Sequence, residues 1–179
     1  MRKLLLATLM VVVLAFGVAA ATTDSDTSTF GVGNEEMAVI ACSGDAGDLL
    51  LVAPAAGAIP TAVNTSLSLT YLQYTVVVGT TTKEITAQIT TGPLPTGTLL
   101  KITTIPAVGG LEGTAVSDVS VTTVSAVDVV TLIPSCATGS GAEDGASIQW
   151  ELSVDDITLM DLHPSADIIV TFIITDTGV

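Results

Sequence analysis

The sequence predicts an all-β fold, an antiparallel Ig-like or jelly-roll-like β-sandwich of about 8–10 strands. Three observations lead there. Short apolar or alternating runs recur, with turn residues about every ten positions. No helical period survives beyond the first apolar segment. Hydrophobic residues make up 49% of the chain but aromatic ones only 3%, so the core must be aliphatic. The abundant Val, Ile and Thr favour strands, because a branched Cβ packs well on a pleated surface. No fixed-period repeat is visible, which makes a β-solenoid the weaker alternative.

The chain has 179 residues. Residues 1–21 read as a signal peptide: Arg2 and Lys3 precede an apolar run over 4–15, and Ala19, Ala20 and Ala21 offer small residues for cleavage. Residues 22–35 carry Thr, Ser and Asp without an apolar period and read as a flexible leader. Residues 36–179 are the expected sandwich domain. Beyond the signal, Lys83 and Lys101 are the only basic side chains against 18 acidic ones. Such a chain cannot neutralise phosphates, which excludes nucleic-acid binding and docking on anionic lipid. No second apolar run is long enough to span a bilayer as a helix. The expected location is secreted, either extracellular or at the cell surface.

Each element follows from its local pattern. Phe30 and Val32 form an isolated apolar pair at strand spacing within the leader. Residues 37–42 and 49–52 are short apolar runs flanking a turn over 43–48. Residues 66–78 are the longest strand candidate. Leu67, Leu69 and Tyr71 share one face and Leu72, Tyr74, Val76 and Val78 the other, which suggests a bulge at 71–72 or a strand that changes sheet there. Residues 83–91 alternate Ile85, Ala87 and Ile89 against Glu84, Thr86 and Gln88, and the two runs suggest a hairpin. Further strands are expected over 98–105, 114–124, 127–133 and 146–154. In 127–133, Val127, Val129, Thr131 and Ile133 share a face; in 146–154, Ile148, Trp150, Leu152 and Val154 do. Residues 166–176 are apolar on both faces and read as a closing strand that is either sandwiched inside the fold or paired with a second copy of the chain.

Two cysteines, Cys42 and Cys136, enter an oxidising compartment together and are expected to form one disulfide. It would close a loop of about 94 residues, which the chain-entropy model values at about 4–5 kcal/mol. Two free thiols are the alternative.

Catalytic machinery is sparse, and no catalytic, cofactor or metal residue is assigned. His163 is the single histidine, and no Gly-x-Ser-x-Gly elbow supplies a nucleophile for it. Glycosidases pair carboxylates with aromatic platforms, and this chain has one Trp, two Tyr and three Phe. The acidic pairs Asp45/Asp48, Glu143/Asp144 and Asp155/Asp156 sit in turns, where each supplies too few oxygens for calcium and none has EF-hand spacing. Asn64 opens the sequon Asn64-Thr-Ser66, a candidate glycosylation site if the source modifies exported proteins.

Several stretches carry a resemblance. They are Leu72-Gln-Tyr-Thr75, Lys83-Glu-Ile-Thr-Ala-Gln88, Pro93-Leu-Pro-Thr-Gly-Thr-Leu99, Asp128-Val-Val-Thr131 and Val170-Thr-Phe-Ile-Ile-Thr-Asp176. Across 66–176 the chain resembles small exported fimbrial and spore-coat-U-like surface proteins. That resemblance implies an Ig-like sandwich at the cell surface, often a fibre or coat subunit. The Cys42/Cys136 pair departs from the pattern, and no functional residues carry over.

Together these features suggest a non-enzymatic structural subunit of an extracellular filament, fimbria or surface coat. It would self-associate by strand addition, with Phe30 and Val32 as candidate donor-strand residues. The alternative is a monomeric secreted module binding carbohydrate or calcium. A calcium-dependent rise in melting temperature would favour that alternative.

Overall fold

The computed structural model describes residues 33, 35–44, 46–52, 55–63, 70–106, 112–162 and 166–177. The expected signal peptide over 1–21, Phe30, Val32, Asp45, Asn64 and His163 lie outside the described residues. The body of the protein is one compact unit from Glu35 onward.

It is an antiparallel β-sandwich. Its strands are β1 (Met37–Gly44), β2 (Thr61–Val63), β3 (Thr70–Val77), β4 (Lys83–Thr91), β5 (Thr98–Ile105), β6 (Thr114–Ala115), β7 (Val119–Val121), β8 (Val127–Ile133), β9 (Cys136–Ala137), β10 (Ala146–Val154) and β11 (Ile169–Asp176). A 3-10 turn, Ile157–Leu159, follows β10. One sheet runs β1-β3-β10-β5-β7, with β2 joined to β10 and β9 to β3; the other runs β11-β4-β8-β6.

Alternation builds the core. In β3, Thr70, Leu72, Tyr74 and Val76 are buried; in β5, Leu100, Ile102 and Thr104 are; in β10, Ala146, Ile148, Trp150 and Leu152 are. They face Ile85, Ala87 and Ile89 of β4 and Val129, Val130 and Ile133 of β8. A period-two strand offers one such face to the core. The Trp150 indole N–H is satisfied by Thr70 Oγ1 at 3.3 Å. Trp150 is therefore a core residue and not a sugar platform.

Three expectations are corrected. β3 and β4 do not form a hairpin: they lie in different sheets, and the turn over 79–82 carries the chain across the end of the sandwich. No bulge or change of sheet interrupts 71–72, where β3 alternates cleanly and pairs with β1 in unbroken register. The even face expected for β8 is broken by two register shifts against β4. They bury the neighbours Val129 and Val130, leave Leu132 exposed, and hold Leu132 at φ 54°. The closing strand, β11, is an edge strand whose one ladder partner among the described residues is β4.

The two lateral sides of the sandwich differ. On one, the chain switches sheets between β6 and β7 and stitches them together. Thr104 N–H donates to Val116 O at 3.0 Å, Val116 N–H to Val129 O at 3.0 Å, and Ile89 N–H to Thr122 O at 3.0 Å. The first bond reaches β5 in one sheet; the other two reach β8 and β4 in the other. On the opposite side stand β1 and β11, each eight residues long. Among the described residues no backbone hydrogen bond joins them.

Candidate functional site

On the side bounded by β1 and β11 the two strands approach each other without a shared ladder, and their inward apolar residues are incompletely covered. Directly opposed residues of an antiparallel pair project to the same face. Ala38, Ile40 and Cys42 oppose Val76, Tyr74 and Leu72, so they point between the sheets. Val170, Phe172 and Ile174 oppose Ile89, Ala87 and Ile85, and also point inward. In the middle of the sandwich the inward residues are buried, while Val119, Val127 and Val154, inward near its margins, are half-buried. On the β1–β11 side Ile40, Val170, Phe172 and Ile174 are only half-buried, and Ala38 and Cys42 are exposed. The Phe172 ring meets Trp150 edge-on at 6.2 Å and is half-buried.

The strand edges are lightly guarded: β11 has one register irregularity at Ile169/Val170 and a single charge at Asp176. Natural sheets blunt their edges with short strands, charges, Pro or bulges. On the stitched side the edge strands β6 and β7 have two and three residues. β1 carries no charge, and β11 carries none before Asp176. Val39 and Ile173 add exposed apolar surface on the outer faces, at 61% and 49% exposure.

One end of this side is tied by charge. Lys83 occupies an inward position in β4, in line with Ile85, and is buried. Its ammonium donates to Asp176 Oδ1 at 2.5 Å, and to Glu36 Oε1 just ahead of β1. The hydrogen bonds to Asp176 and Glu36 hold the lysine above its ordinary range, against a smaller desolvation effect. The bond from Lys83 holds the Asp176 carboxyl below the usual carboxylate range, and Thr81 Oγ1 adds a donor at 3.3 Å. Lys101, paired with Asp118 at 2.9 Å, sits on the outer surface and ties no edge.

The expected Cys42–Cys136 disulfide is not formed; both thiols are free. Topology explains why. β1 and β9 flank opposite edges of β3, with Cys42 opposite Leu72 and Cys136 opposite Val76. That places the cysteines roughly 10 Å apart across the sheet and about 13 Å along it. A disulfide needs Cα atoms within about 7 Å. Partial desolvation of the sulfur pushes both thiols up, although the Cys42 residue as a whole is exposed, and the nearby Glu112 carboxylate adds to the effect at Cys136. Burial likewise raises the Tyr74 phenol, whose hydroxyl donates to Glu112 O at 2.6 Å.

The acidic turns spend their oxygens locally. Asp144 Oδ2 accepts from Gly141 N–H at 2.6 Å. Asp156 Oδ1 accepts from the Thr158 hydroxyl at 2.7 Å and its N–H at 2.9 Å, which holds that carboxyl below its ordinary range. Among the described residues no three His, Cys, Asp or Glu side chains are grouped to hold a metal. No helix among them is long and apolar enough to cross a membrane.

Sequence reasoning singled out the final strand and left its edge partner open, because an apolar edge and an apolar core strand share one sequence pattern; it gave no sign that β1 is the strand beside it. No family model matches the chain, and no curated protein or solved structure is significantly similar to it.

Proposed function

We propose that this protein is an exported structural subunit that self-associates into an extracellular filament, fimbria or surface coat by strand addition. The observation that carries the reading is the side bounded by β1 and β11, two eight-residue edges whose single charge is the terminal Asp176, where no backbone hydrogen bond among the described residues joins the two sheets. An edge of this kind templates pairing with another chain, because its N–H and C=O groups are unmatched. The export-like first residues and the strongly acidic composition fit a protein that works outside the cell. The scattered carboxylates and lack of a nucleophile–base set favour a structural role over a catalytic one.

Electron microscopy and light scattering of the chain from residue 22 onward test the reading. Filaments or sheets of regular width are expected, with assembly increasing with protein concentration. Monomers at every concentration and salt condition would overturn it.

A further inference from the structure

We infer that two copies of this chain pair through β1, edge to edge and antiparallel about a twofold axis, with Ile40 of one copy opposite Ile40 of the other. The inference rests on the self-association reading and names its first contact.

β1 is the least protected long strand of the sandwich. Among the described residues its one ladder partner is β3, and β11 lies beside it without a shared ladder. The backbone groups on that edge are therefore unmatched. Charges, prolines and bulges blunt an edge, and β1 has none of them. β11 has a register irregularity at Ile169/Val170 and the charge of Asp176. Six of the eight β1 residues are exposed, against four of eight in β11. They include Ala38 and Cys42, although both point inward. Met37 and Val39 add apolar surface on the outer face.

Charge selects the partner. The chain has 18 acidic residues against four basic ones. Lys83 is held by Glu36 and Asp176, and Lys101 by Asp118. Acidic surfaces of two copies repel where they meet. The strip Met37–Gly44 is uncharged at every position, so opposing it to itself brings no carboxylate into the paired strands. A basic partner would gain nothing from such a strip. An antiparallel ladder is also self-complementary, because each strand offers N–H and C=O groups in alternation, as an isologous contact requires.

Backbone conformation sets the register. Gly44 has φ 85°, outside the extended range, so the regular stretch is residues 37–43 with Ile40 at its centre. An axis at Ile40 opposes Ala38 to Cys42 of the second copy on the inward face, and Val39 to Ala41 on the outer face. The two Cys42 residues then stand four positions apart, roughly 13 Å along the strands, and stay unbridged.

A disulfide reads this register. Ala38→Cys is made in the chain from residue 22 onward, with Cys136→Ser, and oxidised at about 1 M salt, where the screening length is about 3 Å. Within one chain positions 38 and 42 are too far apart along the strand to bridge. A disulfide-linked dimer is expected on a non-reducing gel. Val39→Cys, whose side chain faces away from Cys42, and Cys136→Ser alone are expected to give none. Far-UV circular dichroism and an unchanged melting temperature confirm that each variant is folded. A ladder of trimers and higher linked species would show a contact that does not close on itself and would overturn the twofold pair. Filaments or sheets without a linked dimer would overturn this inference and leave the structural-subunit reading standing. Linked dimers that grow no further at any concentration would leave the pairing standing and overturn the subunit reading. As a second measurement, Val39→Glu is expected to weaken dimerisation by about tenfold or more in analytical ultracentrifugation, since it sets like charges on the paired strands. Val124→Glu, at an exposed valine in the turn between β7 and β8, is expected to change it by less than about twofold. Equal effects of the two substitutions would overturn the inference.

Discussion

Asp176 lies directly opposite Lys83 across the β4–β11 pair, and its Oδ1 accepts from the Lys83 ammonium at 2.5 Å while Glu36 shares the same nitrogen. One buried cation thus ties the end of the last strand to the approach of the first, at one end of the sandwich. Removing the cation leaves two carboxylates facing each other. Lys83→Met is therefore expected to lower the melting temperature clearly, while Lys101→Met, on the outer surface, leaves it within error. Equal melting temperatures for the two variants in differential scanning calorimetry would show that the tie carries no stability.

The same contact sets the dependence on pH. The native Asp176 carboxyl is depressed, so its contribution is present above the ordinary carboxylate range and is lost as pH falls through the lowered native value. The native Lys83 ammonium is raised, so its contribution is present below the ordinary lysine range and is lost as pH rises through the raised native value. Stability should be flat through neutrality and fall at both extremes. Asp176→Asn should flatten part of the acid limb and leave Glu36 as the remaining partner of Lys83. Melting temperature against pH for the two chains measures this.

Two thiols should titrate per chain, both before and after reduction. Because both are raised above the ordinary thiol range by partial desolvation, alkylation at neutral pH should be slower than for a free cysteine and should accelerate with pH. Cys42→Ser should change unfolding free energy by about 1 kcal/mol or less, far below the 4–5 kcal/mol that the entropy model assigns to a disulfide closing so long a loop. A loss of several kcal/mol on substitution, with no thiol titrating before reduction, would show that the cysteines are bridged.

Gly145 precedes β10 with φ at 102°, and a Cβ there would stand 2.2 Å from the Leu72 carbonyl oxygen of β3. Both the backbone conformation and the close approach exclude a side chain. Gly145→Ala should cost roughly 1–3 kcal/mol for the backbone strain alone, and more once β3 is displaced. Urea denaturation gives the figure, and a loss under 0.5 kcal/mol would mean that the β3–β10 junction relaxes freely.

How far the sequence revealed this fold depended on how local the information was. Ile85, Ala87 and Ile89, and Ile148, Trp150 and Leu152, alternate with polar residues, and period two located their inward faces correctly. Pairing between strands is not written locally. The turn over 79–82 fits a hairpin as well as it fits a crossing between sheets, and only the packing of Leu72 and Ile85 on opposite sheets decides. The bulges in β8 left no mark at Leu132, a residue that rarely adopts a positive φ. Both faces of β11 look alike in sequence because Val170 and Ile173 are equally apolar, although one points toward the core and the other to solvent.

Two truncations separate a closed core from an open one. Leu72 is fully buried, so Leu72→Ala should cost about 2–5 kcal/mol through lost transfer energy and the cavity left behind. A fully buried Phe→Ala change costs about 3–5 kcal/mol. Phe172 is only half-buried, with Trp150 edge-on beside it, so Phe172→Ala in the monomer should fall below that range, at about 1–3 kcal/mol. The ranking should change on assembly, because a strand added on the β1–β11 side would cover Phe172 and leave Leu72 as it was. Chemical denaturation at low protein concentration gives the monomer values, and the concentration needed for assembly gives the second. A monomer penalty for Phe172→Ala as large as that of a fully buried aromatic would mean that Phe172 is already fully covered within one chain.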